Sequence, residues 1–313
     1  MGILLSNLLV KKMKQLFQIL FLIVALQTSS CVFLAQRKIE NTRKDADLYY
    51  YQKDYESALE SYQQVINFYT QKGQEPEGVI YASAAKCLYY QGLKSRAMEY
   101  FHTALNKNYE DELSLYLMIQ YYNETGSLGE EIQCLERYSS AFPDGMDIKY
   151  VRERLFTAYY ERENYRKAYD AYEELPEESI DRIDILEKYY HVNEKLSKFD
   201  KANEIAQKIY NLDPNNLIGL NYVAYNAFSR TEADYEAAQK AYAQKKTKAN
   251  YKILRQKISA LNPRYKTAKN YYLRLYTLYK RPDDAAVLAI ICTRLCETQN
   301  AAYYNRLSKP KKK

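Results

Sequence analysis

Tyr55-Glu56-Ser57-Ala58-Leu59-Glu60-Ser61-Tyr62 sets a small residue three positions after one aromatic and four before another. On a helix those offsets bring all three side chains to one face. The frame returns as Lys94-x-x-Ala97-x-x-x-Phe101, Tyr165-x-x-Ala168-x-x-x-Tyr172, Phe199-x-x-Ala202-x-x-x-Ala206 and Tyr235-x-x-Ala238-x-x-x-Tyr242. A degenerate copy, Leu128-x-x-Glu131-x-x-x-Leu135, fills the one gap, so the centres fall at 58, 97, 131, 168, 202 and 238. A period near 34 residues with helical internal spacing marks a solenoid of helix pairs.

Each repeat reads as two amphipathic helices joined by a short polar turn. In the first, helix A covers about 41–51, Gln52-Lys53-Asp54 is the turn, and helix B runs over about 55–68. Gly92 and Gly126 stand where helix A of the second and third repeats ends, and glycine takes the left-handed cap there without steric cost. Pro143 and Pro214 lie just past B helices, where a helix cannot continue. Ala58, Ala97, Ala168, Ala202 and Ala238 mark close helix crossings, where a larger side chain would cost about 1–3 kcal/mol. The composition agrees, with only 8 Gly and 7 Pro in 313 residues. The 36 Tyr suit a helical array, since the ring packs between helices while the hydroxyl reaches the surface.

Over residues 40–246 this pattern resembles the tetratricopeptide repeat family in six copies. The resemblance implies an all-α fold, a right-handed solenoid of antiparallel helix pairs. Three departures predict looser packing: Glu131 in place of the small residue, Ala206 in place of an aromatic, and an insertion around Ser229-Arg230-Thr231-Glu232. Beyond 246 the frame fades. Tyr251, Leu254, Ile258 and Leu261 form a stripe ended by Asn262-Pro263, and Tyr265–Tyr279 and Ala285–Leu295 pair around Arg281-Pro282. The layout is then a signal segment over 1–35, helix pairs over 36–246, a capping unit over 247–298 and a basic disordered tail over 299–313.

At the amino end Lys11, Lys12 and Lys14 precede an apolar run from Leu16 to Leu26, then Thr28-Ser29-Ser30-Cys31. Basic, apolar and small in that order is the plan of a bacterial secretory signal, and the run is short for a membrane span. Met13 is a second candidate start. Three processing readings stand: cleavage after Ala35, similar to signals common in Bacteroidota; lipidation of Cys31; or retention as an anchor. Each predicts an exported protein, periplasmic or associated with the envelope membrane. The net charge of +7 is matched by those three lysines and Lys309, Lys311, Lys312 and Lys313. The repeat body is therefore near neutral, and a nucleic-acid partner, which calls for a basic stripe on the fold, is not expected.

Nothing in the sequence assembles a catalytic centre. His102 and His191 lie in different repeats, and no metalloprotease, nucleophile-elbow or phosphate-loop motif occurs. Glu130-Glu131, Glu173-Glu174 and Glu177-Glu178 are adjacent pairs whose carboxylates diverge on a helix. Cys292 and Cys296, four apart, share a helix face and read as buried thiols, with Cys87 and Cys134 also in the core; one or two disulfides among the four stay open in an oxidising compartment. No metal, cofactor or enzymatic activity is expected.

By the family resemblance, stacked A helices line a concave channel that holds an extended peptide or a partner helix. Register gives Arg43, Asp47 and Tyr50 from the first repeat, Lys86, Tyr89 and Tyr90 from the second, and Tyr116, Gln120 and Asn123 from the third. The fourth supplies Glu153, Thr157 and Tyr160, and the fifth Glu187, His191 and Glu194. The expectation is a non-enzymatic adaptor that binds another envelope protein or peptide in this channel. The alternative is a structural subunit acting through its convex surface or its ends.

Overall fold

The structure, a computed structural model, describes residues 34–309, which form helices and short connections with no strand among them. They divide between Val151 and Arg152 into two compact units. The first holds α1 (34–51), α2 (Tyr55–Gln71), α3 (Gly78–Tyr90), α4 (Lys94–Asn106), α5 (Glu112–Thr125) and α6 (Leu128–Ala141). The division falls inside α7 (Ile148–Glu161). The second unit continues with α8 (Tyr165–Tyr172), α9 (Ile183–Lys195), α10 (Phe199–Leu212), α11 (Leu217–Gln244), α12 (Lys248–Tyr279), α13 (Pro282–Arg294) and α14 (Thr298–Leu307).

One turn builds every regular helix pair. A residue with positive φ ends helix A at Lys53, Gly92, Gly126, Glu163 and Ser197. The next backbone N–H then reaches back five residues to a carbonyl: Asp54 to Tyr49 at 3.0 Å, Leu93 to Leu88 at 2.9 Å, and Ser127 to Tyr122 at 2.9 Å. Asn164 to Tyr159 at 2.9 Å and Lys198 to Asn193 at 2.8 Å repeat the bond in the second unit. This is the left-handed cap that satisfies orphan carbonyls at a helix end. Helix B starts two residues later, and the small residue of the frame follows three after that. Ala58, Ala97, Ala168, Ala202 and Ala238 are all buried, as is Glu131, which takes the same place in the degenerate copy.

Within each unit the helices pack on their neighbours in sequence, from α2 to α6 in the first and from α8 to α14 in the second. In the first unit α3 also touches α5, the next helix A. Gly78 makes one close approach possible: a Cβ there would stand 2.5 Å from Tyr109 Cβ. In the second unit Gly219 seats α11 against the backbone of Tyr210, which a Cβ would meet at 2.5 Å.

Four expectations fail in the second unit. The sixth copy has no turn around Ser229–Glu232; α11 is one helix of 28 residues. Its buried Leu220, Ala224, Thr231 and Ala238 recur at four and seven, so one face continues through the expected break. Pro263 ends nothing either, for α12 runs 32 residues through it. The missing proline N–H costs about 3 kcal/mol, yet Leu254, Leu261, Tyr265, Ala268, Tyr272 and Leu275 hold a buried seam on both sides of it. Leu261 through Leu275 join Leu220, Ala224, Leu288 and Ile291 in one core cluster.

The third correction concerns the tail. Residues 298–307 form α14 instead of a disordered end, and α14 packs on α13. Their turn repeats the regular hairpin: Cys296 has positive φ, and the Glu297 N–H reaches the Cys292 carbonyl at 2.8 Å. Ala301 then sits where Ala58 and its equivalents sit. Cys292 and Cys296 therefore do not share a helix; Cys292 is buried in α13 and Cys296 is exposed in the turn.

The candidate signal segment and Cys31 lie outside the described residues, except that 34 and 35 already belong to α1. Gln36 in that helix donates to the Tyr69 hydroxyl at 3.1 Å. Among the described residues no helix is long and apolar enough to cross a membrane.

Candidate functional site

The residues assigned to the channel divide into those that the fold engages and those that it presents. Four hold the N-cap of a later helix. Arg43 meets Glu77, the N-cap of α3, at 3.3 Å, and Lys86 meets Asp111, the N-cap of α5, at 2.9 Å. In the second unit Glu153 accepts from Arg182, the N-cap of α9, at 2.7 Å and also from the Ser179 hydroxyl. Glu187 accepts from Asn216, the N-cap of α11, at 2.6 Å. These contacts set repeat against repeat. Asp47 is engaged too, accepting from the buried Tyr62 hydroxyl at 2.6 Å.

The Lys86–Asp111 pair is the most enclosed of these. Burial pushes the Asp111 carboxyl up, but the Lys86 ammonium and hydrogen bonds from Ser114 outweigh it and hold the group below its ordinary value. Asp111 accepts from both the backbone N–H and the hydroxyl of Ser114, at 3.0 and 2.8 Å.

Tyrosines gather where α1 and α3 end. Tyr55, at the start of α2, stacks on Tyr90 with centroids 4.9 Å apart and meets Tyr50 edge-on at 5.8 Å. Tyr89 stands edge-on to Tyr90 at 6.1 Å, with the Lys94 ammonium 5.0 Å above its ring. Lys94 in turn pairs with Glu124 at 2.6 Å. Tyr50, Tyr89 and Tyr90 were assigned from the sequence; Tyr51 and Tyr55 were not. Tyr51 is 84% exposed and Tyr90 43%, so the group offers ring faces to solvent instead of closing into the core. Burial raises the phenols of Tyr50, Tyr89 and Tyr90 above their ordinary value, so each hydroxyl is protonated at neutral pH and able to donate.

The remaining assignments are separate. Tyr116 meets Tyr150 edge-on at 6.1 Å, and the Asn123 amide donates to the Tyr150 hydroxyl at 3.4 Å. Gln120 is half-buried on the same helix. In the second unit Tyr160 packs edge-on to Tyr165 at 6.4 Å, Thr157 is half-buried, and His191 lies 3.3 Å from Glu194. Glu194 also accepts from Tyr190 at 2.8 Å.

The three buried thiols are set for packing, not reaction. Burial pushes Cys87 and Cys134 up to about 12 and Cys292 up to about 11, so none forms a thiolate at neutral pH. Among the described residues no group of three or more His, Cys, Asp or Glu is placed to hold a metal ion.

No family model matches the sequence, and no curated protein does. Solved tetratricopeptide repeat proteins are among the structures to which the chain is similar. A protein from Bacteroides ovatus shares 18% identity over 60% of this chain and 100% of its own, with a TM-score of 0.43. YrrB, described as a tetratricopeptide repeat protein with an unusual peptide-binding site, shares 14% over 57% of this chain and 89% of its own, with a TM-score of 0.41. A tetratricopeptide repeat protein from Parabacteroides merdae shares 15% over 81% of this chain and 98% of its own, with a TM-score of 0.39.

Proposed function

We propose that the chain is a non-enzymatic binding scaffold of the cell envelope, and that the tyrosine group on α1, α2 and α3 takes an extended peptide or a helix of a partner protein. The observation that carries this is the exposed pair Tyr51 and Tyr90, held by Tyr50, Tyr55 and Tyr89. Rigid aromatic faces give large contact area at little entropic cost, and their protonated hydroxyls suit backbone carbonyls. Gln120 and Asn123 on α5 add amide groups, while Thr157, Tyr160, His191 and Glu194 belong to a second contact region. Arg43, Asp47 and Lys86 serve the tyrosine surface by fixing the helices beneath it, and Glu153 and Glu187 fix helices of the second unit. The envelope location rests on the basic, apolar and small order before residue 36.

Replacing both Tyr89 and Tyr90 with Ala tests the reading. Crosslinking in cells followed by purification of the chain should recover a protein partner with the native sequence and lose it with the double variant. Circular dichroism should show unchanged helicity. Equal recovery of that partner by both would remove the tyrosine group from the function.

A second reading has its own observation. Ala286, Ala289, Ile290 and Thr293 on α13 and Ala301 and Ala302 on α14 line an open cleft of about 580 Å³. Assembly through that end would make the chain a subunit of an envelope complex. It predicts that Ala289→Arg abolishes the assembly while the tyrosine variants leave it intact.

A further inference from the structure

The unbroken course of α11 creates a polar surface with no counterpart in the regular hairpins. Tyr222, Asn226 and Arg230 follow one another at four-residue steps, so they share a face that extends past the position of the missing turn. Arg264 and Tyr271 on α12 lie opposite, seven apart, and Gln207 of α10 closes one side. Together they line an open cavity of about 450 Å³ in the second unit. That volume falls in the range of small-molecule sites.

The charge inside is one-sided. No aspartate or glutamate is among the lining residues. Arg264 is anchored by Asp234 at 2.5 Å, outside the cavity, whereas Arg230 makes no ion pair among the described residues. One guanidinium is thus compensated and one is not, leaving a single net positive charge. Tyr271 is held by an edge-on contact with Tyr210 at 6.2 Å, so the wall beside the arginines is fixed. The amides of Gln207 and Asn226 can donate or accept beside it.

We infer that this cavity binds a singly charged organic carboxylate, with its anionic group at Arg230 and Arg264 and its apolar part against Tyr222 and Tyr271. A guanidinium fork matches a carboxylate in two parallel hydrogen bonds. A phosphate dianion would bring one charge more than the cavity neutralises. The carboxylate belongs either to a free small molecule or to an acidic side chain of a peptide.

Nuclear magnetic resonance of the arginine Nε–H groups in the full chain tests this with three probes. They are 4-methylvalerate, an acetyl- and methylamide-capped glutamate residue, and inorganic phosphate. At least one carboxylate should shift the Arg230 and Arg264 signals saturably, and phosphate should bind at least about tenfold more weakly. Arg230→Gln should weaken the carboxylate about tenfold or more, the loss of one charge-assisted hydrogen bond, while Arg230→Lys retains part of the binding. Tighter binding of 4-methylvalerate assigns a free small molecule; tighter binding of the capped glutamate assigns a peptide side chain. Absence of a saturable shift, an unchanged titration in Arg230→Gln, or phosphate binding as tightly would overturn the proposal.

Discussion

The turn between α9 and α10 and the unbroken middle of α11 come from the same residue frame, yet only the first reverses the chain. Before Ala202 the last buried residue of helix A, Asn193, lies nine positions back. Nine residues rotate a helix by about two and a half turns, so a continuous helix would place the two on opposite faces. Burying both requires a turn. Before Ala238 the buried residue is Thr231, seven back, which a continuous helix keeps on the same face. The Thr231 hydroxyl bonds the Ala227 carbonyl at 2.7 Å, so its burial leaves no polar orphan. Spacing, not the small residue itself, decides between hairpin and rod.

The largest expected effect comes from proline at the matched positions 199 and 235. Phe199 opens α10 at the first helical position, where proline is tolerated, and follows Lys198, whose ψ of 61° lies outside the helical region that a following proline disfavours. Phe199→Pro should stay within about 1 kcal/mol of Phe199→Ala in urea unfolding. Tyr235 lies inside α11, so Tyr235→Pro should fall below Tyr235→Ala by about 3 kcal/mol or more. Equal penalties at the two positions would erase the contrast.

Next in size, Gly219→Ala should lower stability by about 1–3 kcal/mol, since its Cβ meets backbone of Tyr210 that cannot yield as a flexible side chain would. Thermal unfolding measures it, and a neutral result would mean that α11 does not press on α10 as described.

A smaller, pH-dependent effect tests the regular stack. Lys86→Met should cost about 1–3 kcal/mol at pH 7 by leaving Asp111 half-buried without its cation. The folded state holds the Asp111 carboxyl below its unfolded value of about 4, so the native pair stabilises above that pH and loses its contribution as pH falls through the lowered folded value. The difference between native and variant should therefore shrink as the medium is made more acid. A gap that stays constant into acid would locate the effect elsewhere.

What the sequence disclosed, and what it hid, follows the same physics. Ala58, Ala97, Ala168, Ala202 and Ala238 could be assigned to the core because a small residue at helical spacing between aromatics has few other uses. The left-handed turn residues were legible only at Gly92 and Gly126; Lys53, Glu163, Ser197 and Cys296 occupy the same conformation without a residue type that announces it. The α13–α14 hairpin escaped notice because Thr298 and Asn305 stand where the frame expects aromatics. Of the proposed site, Tyr50, Tyr89 and Tyr90 were legible by register. The engagement of Arg43, Lys86, Glu153 and Glu187 was not, because each partner lies roughly thirty residues away and is reached only once the next helix has stacked.

One distance tests the contrast most directly. Spin labels at exposed Tyr225 and Ala243 flank the position where the sixth turn would fall. A continuous α11 separates them by eighteen residues, about 27 Å along the axis. A hairpin would fold the two segments back to about 10 Å between helix axes, leaving the positions about 15 Å apart. Electron–electron resonance should return the long distance, and a dominant short one would contradict the account.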